Sequence, residues 1–291
     1  MHCRSILVPV RGIEHDIHAI RSALKIARRF EAHVDVLFAR ASGESLAAAF
    51  AGYGMVPPPV GLVDQIQEGI QQQEVMASKL VERAAEEMAV AVVSHRDPAG
   101  RRPSVALMVE PSALFESVSR IGALHDLIVY EHEPQGVELE PFDDLVLQAA
   151  LLGARRPCFL APKVLRGAFP AQIAVGWSGS VEGAHAVTAA LPFLAEASAV
   201  HIIRVCAADA PPAGEHMLLD YLRWHKVSAT LHRVHPAYGQ TATALLTKAT
   251  DLEAELLVLG GFTHRPIRQS LLGGVTRDVL RFAPMPVLMA H

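Results

Sequence analysis

The sequence has no surplus of positive charge: 26 Lys and Arg stand against 30 Asp and Glu, a formal net charge of −4. Nothing is left over to neutralise phosphates, which argues against a nucleic-acid binder working by bulk electrostatics. Cysteine is scarce. Cys3, Cys158 and Cys206 have no paired spacing, so a disulfide framework or a cysteine-rich zinc site is not expected, and a reducing compartment fits. No run of 18 apolar residues occurs, so no membrane span is expected. Met1–Ser5 leads straight into Ile-Leu-Val-Pro-Val, without room for a secretory leader. The expected location is the cytoplasm. What is present is apolar bulk: 51% of the 291 residues are hydrophobic and 19% charged, enough for about two cored domains at roughly 150 residues each.

The chain is written twice. Ser5-Ile6-Leu7-Val8-Pro9-Val10-Arg11-Gly12 aligns with Gln172-Ile173-Ala174-Val175-Gly176-Trp177-Ser178-Gly179, an offset of 167. Leu127–Tyr130 aligns with Leu256–Leu259, and Pro157–Ala161 with Pro286–Ala290, both at an offset of 129. The difference, 167 − 129 = 38 residues, is extra material in the first copy, placed at about 43–80. Units of this length are whole domains rather than solenoid repeats. The boundaries expected are 1–164 and 170–291, with the linker at Pro162–Pro170.

Within each copy short β-branched runs alternate with helical patterns. Strands are expected near 5–10, 34–39, 104–109, 126–130 and 157–161, then near 172–177, 199–205, 228–234, 255–259 and 286–290. Helices are expected near 15–30, 62–89, 111–123 and 143–153, then near 181–196, 213–226, 239–250 and 274–283. The strands are nearly continuous apolar runs, as in a parallel sheet covered on both faces. The fold class is therefore α/β: two doubly wound, five-stranded parallel-sheet domains in tandem.

In such sheets ligands bind beyond the carboxyl ends of the strands, where strand order reverses. That points to the loops after the first and fourth strands of each copy. Beyond Leu259 the second copy reads Gly260-Gly261-Phe262-Thr263-His264-Arg265-Pro266-Ile267-Arg268-Gln269-Ser270-Leu271-Leu272-Gly273-Gly274-Val275-Thr276. Glycines bracket a basic loop and then open a helix, and bare backbone N–H groups at a helix start form an anion site. The plainer reading is a turn at Gly260-Gly261 and a cap at Gly273-Gly274. The first copy carries Glu131, Glu133, Glu138, Glu140, Asp143 and Asp144 over the corresponding stretch, with Asp144 and Leu145 in place of Gly273 and Gly274. Carboxylates and Cβ atoms there repel a phosphate.

Both copies resemble the universal stress protein A family in its tandem-domain form, of the adenine nucleotide alpha hydrolase-like fold. The resemblance rests on Ile6–Gly12, Gly260–Thr276 and the closing Ala283-Pro284-Met285-Pro286-Val287-Leu288-Met289. It implies a cytoplasmic stress-response protein and, in copy two, a site for ATP or AMP. The family's nucleotide-binding members carry Gly-x-x-Gly, nine residues, then Gly-Ser or Gly-Thr. Here Gly260, the nine-residue spacing and Gly273 are kept, while Thr263 and Gly274 depart from the pattern. The strand-end Asp that the family uses toward the nucleoside is Arg11 in copy one and Ser178 in copy two. Each hydrogen bond lost to a charged group removes roughly 1.5–3 kcal/mol, so weak binding is expected. The residues implied are a backbone cradle at Gly260, Gly261, Gly273 and Gly274, charge at Arg265 and Arg268, hydroxyls at Thr263 and Thr276, and Ser178 with Val205 beside base and ribose. The role implied is regulatory, at most slow ATP hydrolysis. The alternative is a protein-interaction module, without nucleotide, serving an unidentified protein partner.

Other residues carry plainer expectations. Glu131-His132-Glu133 and His125-Asp126 read as a solvated loop rather than a metal site, because adjacent residues on extended chain face opposite ways. His185 and His291 lack spaced partners and read as surface or satisfied polar groups. Gly176-Trp177-Ser178-Gly179-Ser180 ends in Ser and is no nucleophile elbow. Cys206 reads as a buried small hydrophobe. The apolar stretch Ser45–Pro59 reads as a flap or a partner surface. The last strands of the two copies, as open edges, are expected to pair within the chain as a pseudo-dimer; a homodimer of chains is a further expectation.

Overall fold

A computed structural model describes residues 3–40, 60–97, 99–100, 102–132, 141–165, 170–236, 240–261 and 274–291. The apolar insertion at 45–59 and most of the basic loop, 262–273, lie outside the described residues. The chain divides into two compact units, one of Cys3–Glu131 with Leu145–Ala154, the other containing His132–Asp144 and Arg155–His291.

In the first unit β1 (Ser5–Val10), β2 (His33–Ala39), β3 (Ala91–Val92), β4 (Ser104–Glu110) and β5 (Leu127–Glu131) form a parallel sheet in the order β3-β4-β2-β1-β5. The apolar runs are buried on both faces, Ile6, Leu7, Val8, Val34, Val36 and Leu37 completely. Helix α1 (Ile17–Phe30) buries Ile17, Ile20, Leu24 and Ala27, one face at helical spacing, and stops where Glu31 turns left-handed. It packs on α2 (Val60–Met88). Helix α3 (Leu114–Gly122) packs on a single π turn, Ala149–Gly153, that continues α4 (Pro141–Gln148). A Cβ on Gly153 would stand 2.0 Å from Ser119 Oγ, so glycine sets that approach. The expected helix over 143–153 is thus α-helical only to Gln148. The short β3 carries no pattern and was not expected.

In the second unit β6 (Cys158–Ala161), β7 (Gln172–Gly176), β8 (Ala199–Val205), β9 (Ala229–Val234), β10 (Leu256–Gly260) and β11 (Val287–Ala290) run in the order β6-β11-β10-β7-β8-β9. All neighbours are parallel except β6 and β11, which pair antiparallel with Val287 opposite Leu160 and Met289 opposite Cys158. The expected joining of the two repeat-end strands is therefore present. Helices α5 (Val181–Leu194), α6 (Glu215–Trp224), α7 (Thr241–Asp251) and α8 (Gly274–Phe282) link the strands. Right-handed crossovers put α5 and α6 on one face and α7 and α8 on the other. No described helix is long and apolar enough to cross a membrane.

Candidate functional site

In the second unit strand order reverses between β7 and β10, which lie side by side with Leu259 opposite Gly176. Their carboxyl ends are the two segments that the repeat analysis singled out. A Cβ on Gly176 would stand 2.8 Å from Leu259 Cδ1, so the leucine ends pack close over the strand here. Beyond it Trp177 is fixed twice, its backbone N–H donating to the Ile203 carbonyl at 2.9 Å and its indole N–H to the Ala213 carbonyl at 2.9 Å. Ser178 follows, exposed. Gly179 has φ +79° and would set a Cβ 2.7 Å from the Ala213 oxygen, so glycine serves both the backbone and the contact. Ser180 caps α5, its Oγ accepting from Gly183 N–H at 3.0 Å. That is the duty of the last serine of the elbow-like run.

The second strand end carries the tightest contact. A Cβ on Gly260 would lie 2.5 Å from Gly183 N and 2.7 Å from Glu182 C, backbone atoms of the first turn of α5. Gly261 N–H donates to the Ala290 carbonyl at 2.8 Å. Its own carbonyl lies 3.2 Å from His291 Nδ1, and the His291 carbonyl lies 3.2 Å from His185 Nδ1. The two histidines, read as surface or satisfied polar groups, are thus each satisfied by a carbonyl beside the crevice, a placement that spacing in sequence does not show. Helix α8 opens on Gly274, where an added Cβ meets nothing within 4 Å, while Thr276 is buried. Val205, the last residue of β8, is half-buried. Thr263, Arg265, Arg268 and Gly273 lie outside the described residues.

One cluster behind this crevice was missed. Arg204 and Glu215 are buried ion-pair partners, and Arg233 reaches the same Glu215 Oε1 at 3.1 Å. Arg204 also donates to the Pro211 carbonyl, and Glu215 accepts from Ala213 N–H. Burial pushes the Glu215 carboxyl up, but the N–H groups of Glu215 and Ala213 and the Arg204 guanidinium outweigh it and hold the pKa at about 2. The cluster therefore fixes residues 211–213, which receive the Trp177 indole and cover Gly179. The available signal was an arginine in an apolar strand, at a position facing the helix side.

The corresponding end of β1 in the first unit is closed. The Asp16 carboxylate accepts from Arg11 N–H at 3.0 Å and Ile13 N–H at 2.9 Å, using the backbone donors an anion would need. Burial pushes Asp16 above the ordinary carboxylate value, against the pull of those donors. Gly12, at φ +75°, would carry a Cβ only 2.2 Å from the Gln73 oxygen, and Arg40 at the end of β2 pairs with Glu74 at 3.2 Å. Helix α2, part of it within the extra material of the first copy, thus lies across the strand ends. Glu133, Glu138 and Glu140 lie outside the described residues, while Asp143 and Asp144 sit in the first turn of α4, where the helix dipole favours them.

Two expectations for the first copy need correction. His132 is not solvated: it is buried, with Nε2 2.6 Å from the Leu280 carbonyl. His125 is buried too, with Nε2 2.9 Å from Asp35 Oδ2 and Nδ1 2.9 Å from the Ile121 carbonyl. Asp35 Oδ1 faces His33 Nε2 at 2.9 Å, His33 Nδ1 faces Ser104 Oγ at 2.8 Å, and Arg96 reaches Asp35 Oδ2 at 2.9 Å. Burial opposes the Asp35 charge, yet the two imidazoles and Arg96 hold its pKa well below the ordinary value. Ser104, His33 and Asp35 make a relay-like chain, but Ser104 is buried at the amino end of β4, so it meets no substrate. Cys206 is half-buried rather than buried.

The universal stress protein family model matches residues 171–291. A search of curated proteins finds no match. Among solved structures, a universal stress protein from Archaeoglobus fulgidus DSM 4304 is 13% identical with a TM-score of 0.70, covering 100% of this chain and 99% of its own. A functionally unknown protein from Pseudomonas aeruginosa PAO1 is 18% identical with a TM-score of 0.60, covering 99% of this chain and 92% of its own. At these identities the structural likeness carries the fold of the whole chain, and the match to the family model covers its second half.

Proposed function

We propose that this chain, whose residues 171–291 match the universal stress protein family model, is a cytoplasmic stress-response protein that binds an adenine nucleotide in its second half and regulates rather than catalyses. The observation that carries the reading is the convergence of two glycine-containing strand ends, Ser178-Gly179 and Gly260-Gly261, at the strand-order reversal. Phosphates of ATP or AMP would sit on amides of Gly273 and Gly274, against the turn of Gly260 and Gly261 whose own Gly261 N–H is held by the Ala290 carbonyl, with charge from Arg265 and Arg268 and hydroxyls from Thr263 and Thr276. Ser178 and Val205 would flank the nucleoside. Residues 260–273 contain no carboxylate, so the loop offers no metal ligand of the kind phosphoryl transfer uses. Binding without turnover follows. The first unit, with Gly12 under α2 and its amides taken by Asp16, serves as a structural partner.

Calorimetric titration of ATP and AMP into the full chain and into Gly274→Asp tests this. An acid at the first position of α8 suits the helix dipole and leaves the fold intact, but repels a phosphate. The expected result is weak binding to the parent chain, none to the variant, and no phosphate release. Equal affinity in the variant puts the ligand elsewhere. No heat with either nucleotide overturns the reading in favour of a protein-interaction module.

A further inference from the structure

We propose that His201 and His232 form a binding site for one divalent transition-metal ion of the copper, zinc or nickel class. The two residues sit on neighbouring parallel strands, β8 and β9, with His201 opposite Thr230 and Ile203 opposite His232. The pleat therefore sends both rings to one face of the sheet, the face that α7 covers. His201 Nδ1 lies 3.2 Å from His232 Nε2, and the ring centroids are 5.2 Å apart with planes tilted by 54°. Two nitrogens bound tetrahedrally to one zinc-sized ion are about 3.3 Å apart, so the pair already has the required bite.

The tautomers support the same assignment. The far nitrogen of His201, Nε2, lies 3.2 Å from Gln172 Oε1. An amide oxygen only accepts, so His201 carries its proton on Nε2 and turns the Nδ1 lone pair toward His232. This is how a second residue orients a ligating imidazole. His232 Nε2–H now donates to that lone pair. Moving this proton to His232 Nδ1 leaves the ring neutral and frees a second lone pair, and a small rotation of the two rings turns both lone pairs off the line between the nitrogens onto one ion. Both rings are half-buried, which leaves a path for an ion and for water. Burial first, then the Lys248 charge, holds both imidazoles below the ordinary histidine value, so both are neutral ligands at neutral pH. Among the described residues no group of three or more His, Cys, Asp and Glu surrounds a point, so water completes the shell. Two imidazoles and water favour copper over zinc.

The test is titration of copper sulfate and zinc chloride into the full chain, read by calorimetry and by electron paramagnetic resonance of the copper form. We expect a copper site with two imidazole nitrogens, tighter than for zinc, that weakens at least tenfold in His201→Ala and in His232→Ala. Lys248→Gln keeps both ligands and removes a repelling charge, so copper should bind at least threefold tighter. Histidine variants that bind copper with unchanged affinity and nitrogen pattern would overturn the assignment. So would Lys248→Gln binding no tighter than the parent chain, a result that stands even if the histidine variants fail to fold.

Discussion

Gly260 rests directly on Gly183: an added Cβ would lie 2.5 Å from the Gly183 nitrogen, which itself donates to the capping Ser180 hydroxyl. The end of β10 and the start of α5 are thus pressed backbone to backbone. Gly260→Ala should destabilise the chain by about 1–3 kcal/mol, the usual range for overpacking. Gly274→Ala, with open space at the mutated atom, should stay within about 0.5 kcal/mol of the parent. Urea unfolding of both variants checks the contrast; equal stabilities would mean that the contact is absent.

Gly12→Ala should be more damaging than Gly260→Ala. It combines a left-handed φ of +75° with a Cβ position 2.2 Å from the Gln73 oxygen. The backbone cost alone is roughly 1–2 kcal/mol, before any displacement of α2. Hydrogen exchange along α2 should rise in this variant. Unchanged exchange would show that α2 does not rest on the β1 loop.

Acid should loosen the loop that shields Gly179. The Glu215 pKa falls from 4.5 to about 2 on folding, so the stabilisation it contributes is complete above 4.5 and is lost as pH drops from there toward 2. Glu215→Gln should remove that part of the acid transition and cost about 3 kcal/mol at neutral pH, since Arg204 is left buried without its charge partner. Quenching of Trp177 should report the loop. An acid limb identical to that of the parent would refute the assignment.

Asp35→Asn should lower stability by about 3–5 kcal/mol, because Arg96, His33 and His125 lose the carboxylate they share. The Asp35 pKa is depressed, so its contribution is present above the unfolded value of 3.8 and fades as pH falls below it. Thermal unfolding between pH 7 and pH 3 measures both effects. A neutral variant would show that the network contributes nothing net.

Thiol labelling should separate the three cysteines. Burial and the Asp126 charge push the Cys3 thiol up to about 12, and burial pushes Cys158 up as well. Only the half-buried Cys206 should react with a disulfide reagent in the native chain at neutral pH. Rapid labelling of Cys158 would contradict its place in the β6–β11 pair.

Much of the architecture was legible in the residues themselves. Apolar runs such as Ile6–Val10 and Leu256–Leu259 have no polar face to show to water, so they specify strands buried on both sides. Ile17, Ile20, Leu24 and Ala27 specify one helix face, and the internal repeat announces two units. The glycines at 12, 179 and 260 mark places where a side chain has no room, although the sequence does not name the neighbour. That neighbour, Gln73, Ala213 or Gly183, is decided only when distant segments close on one another. Buried ionic groups were equally hidden: Arg204, Glu215, Asp35 and His125 look like surface residues one at a time, since a charge is buried only when its partner arrives from another element. Periodicity is local and written in the chain; contact between strand ends and helix starts is long-range, and tertiary packing alone settles it.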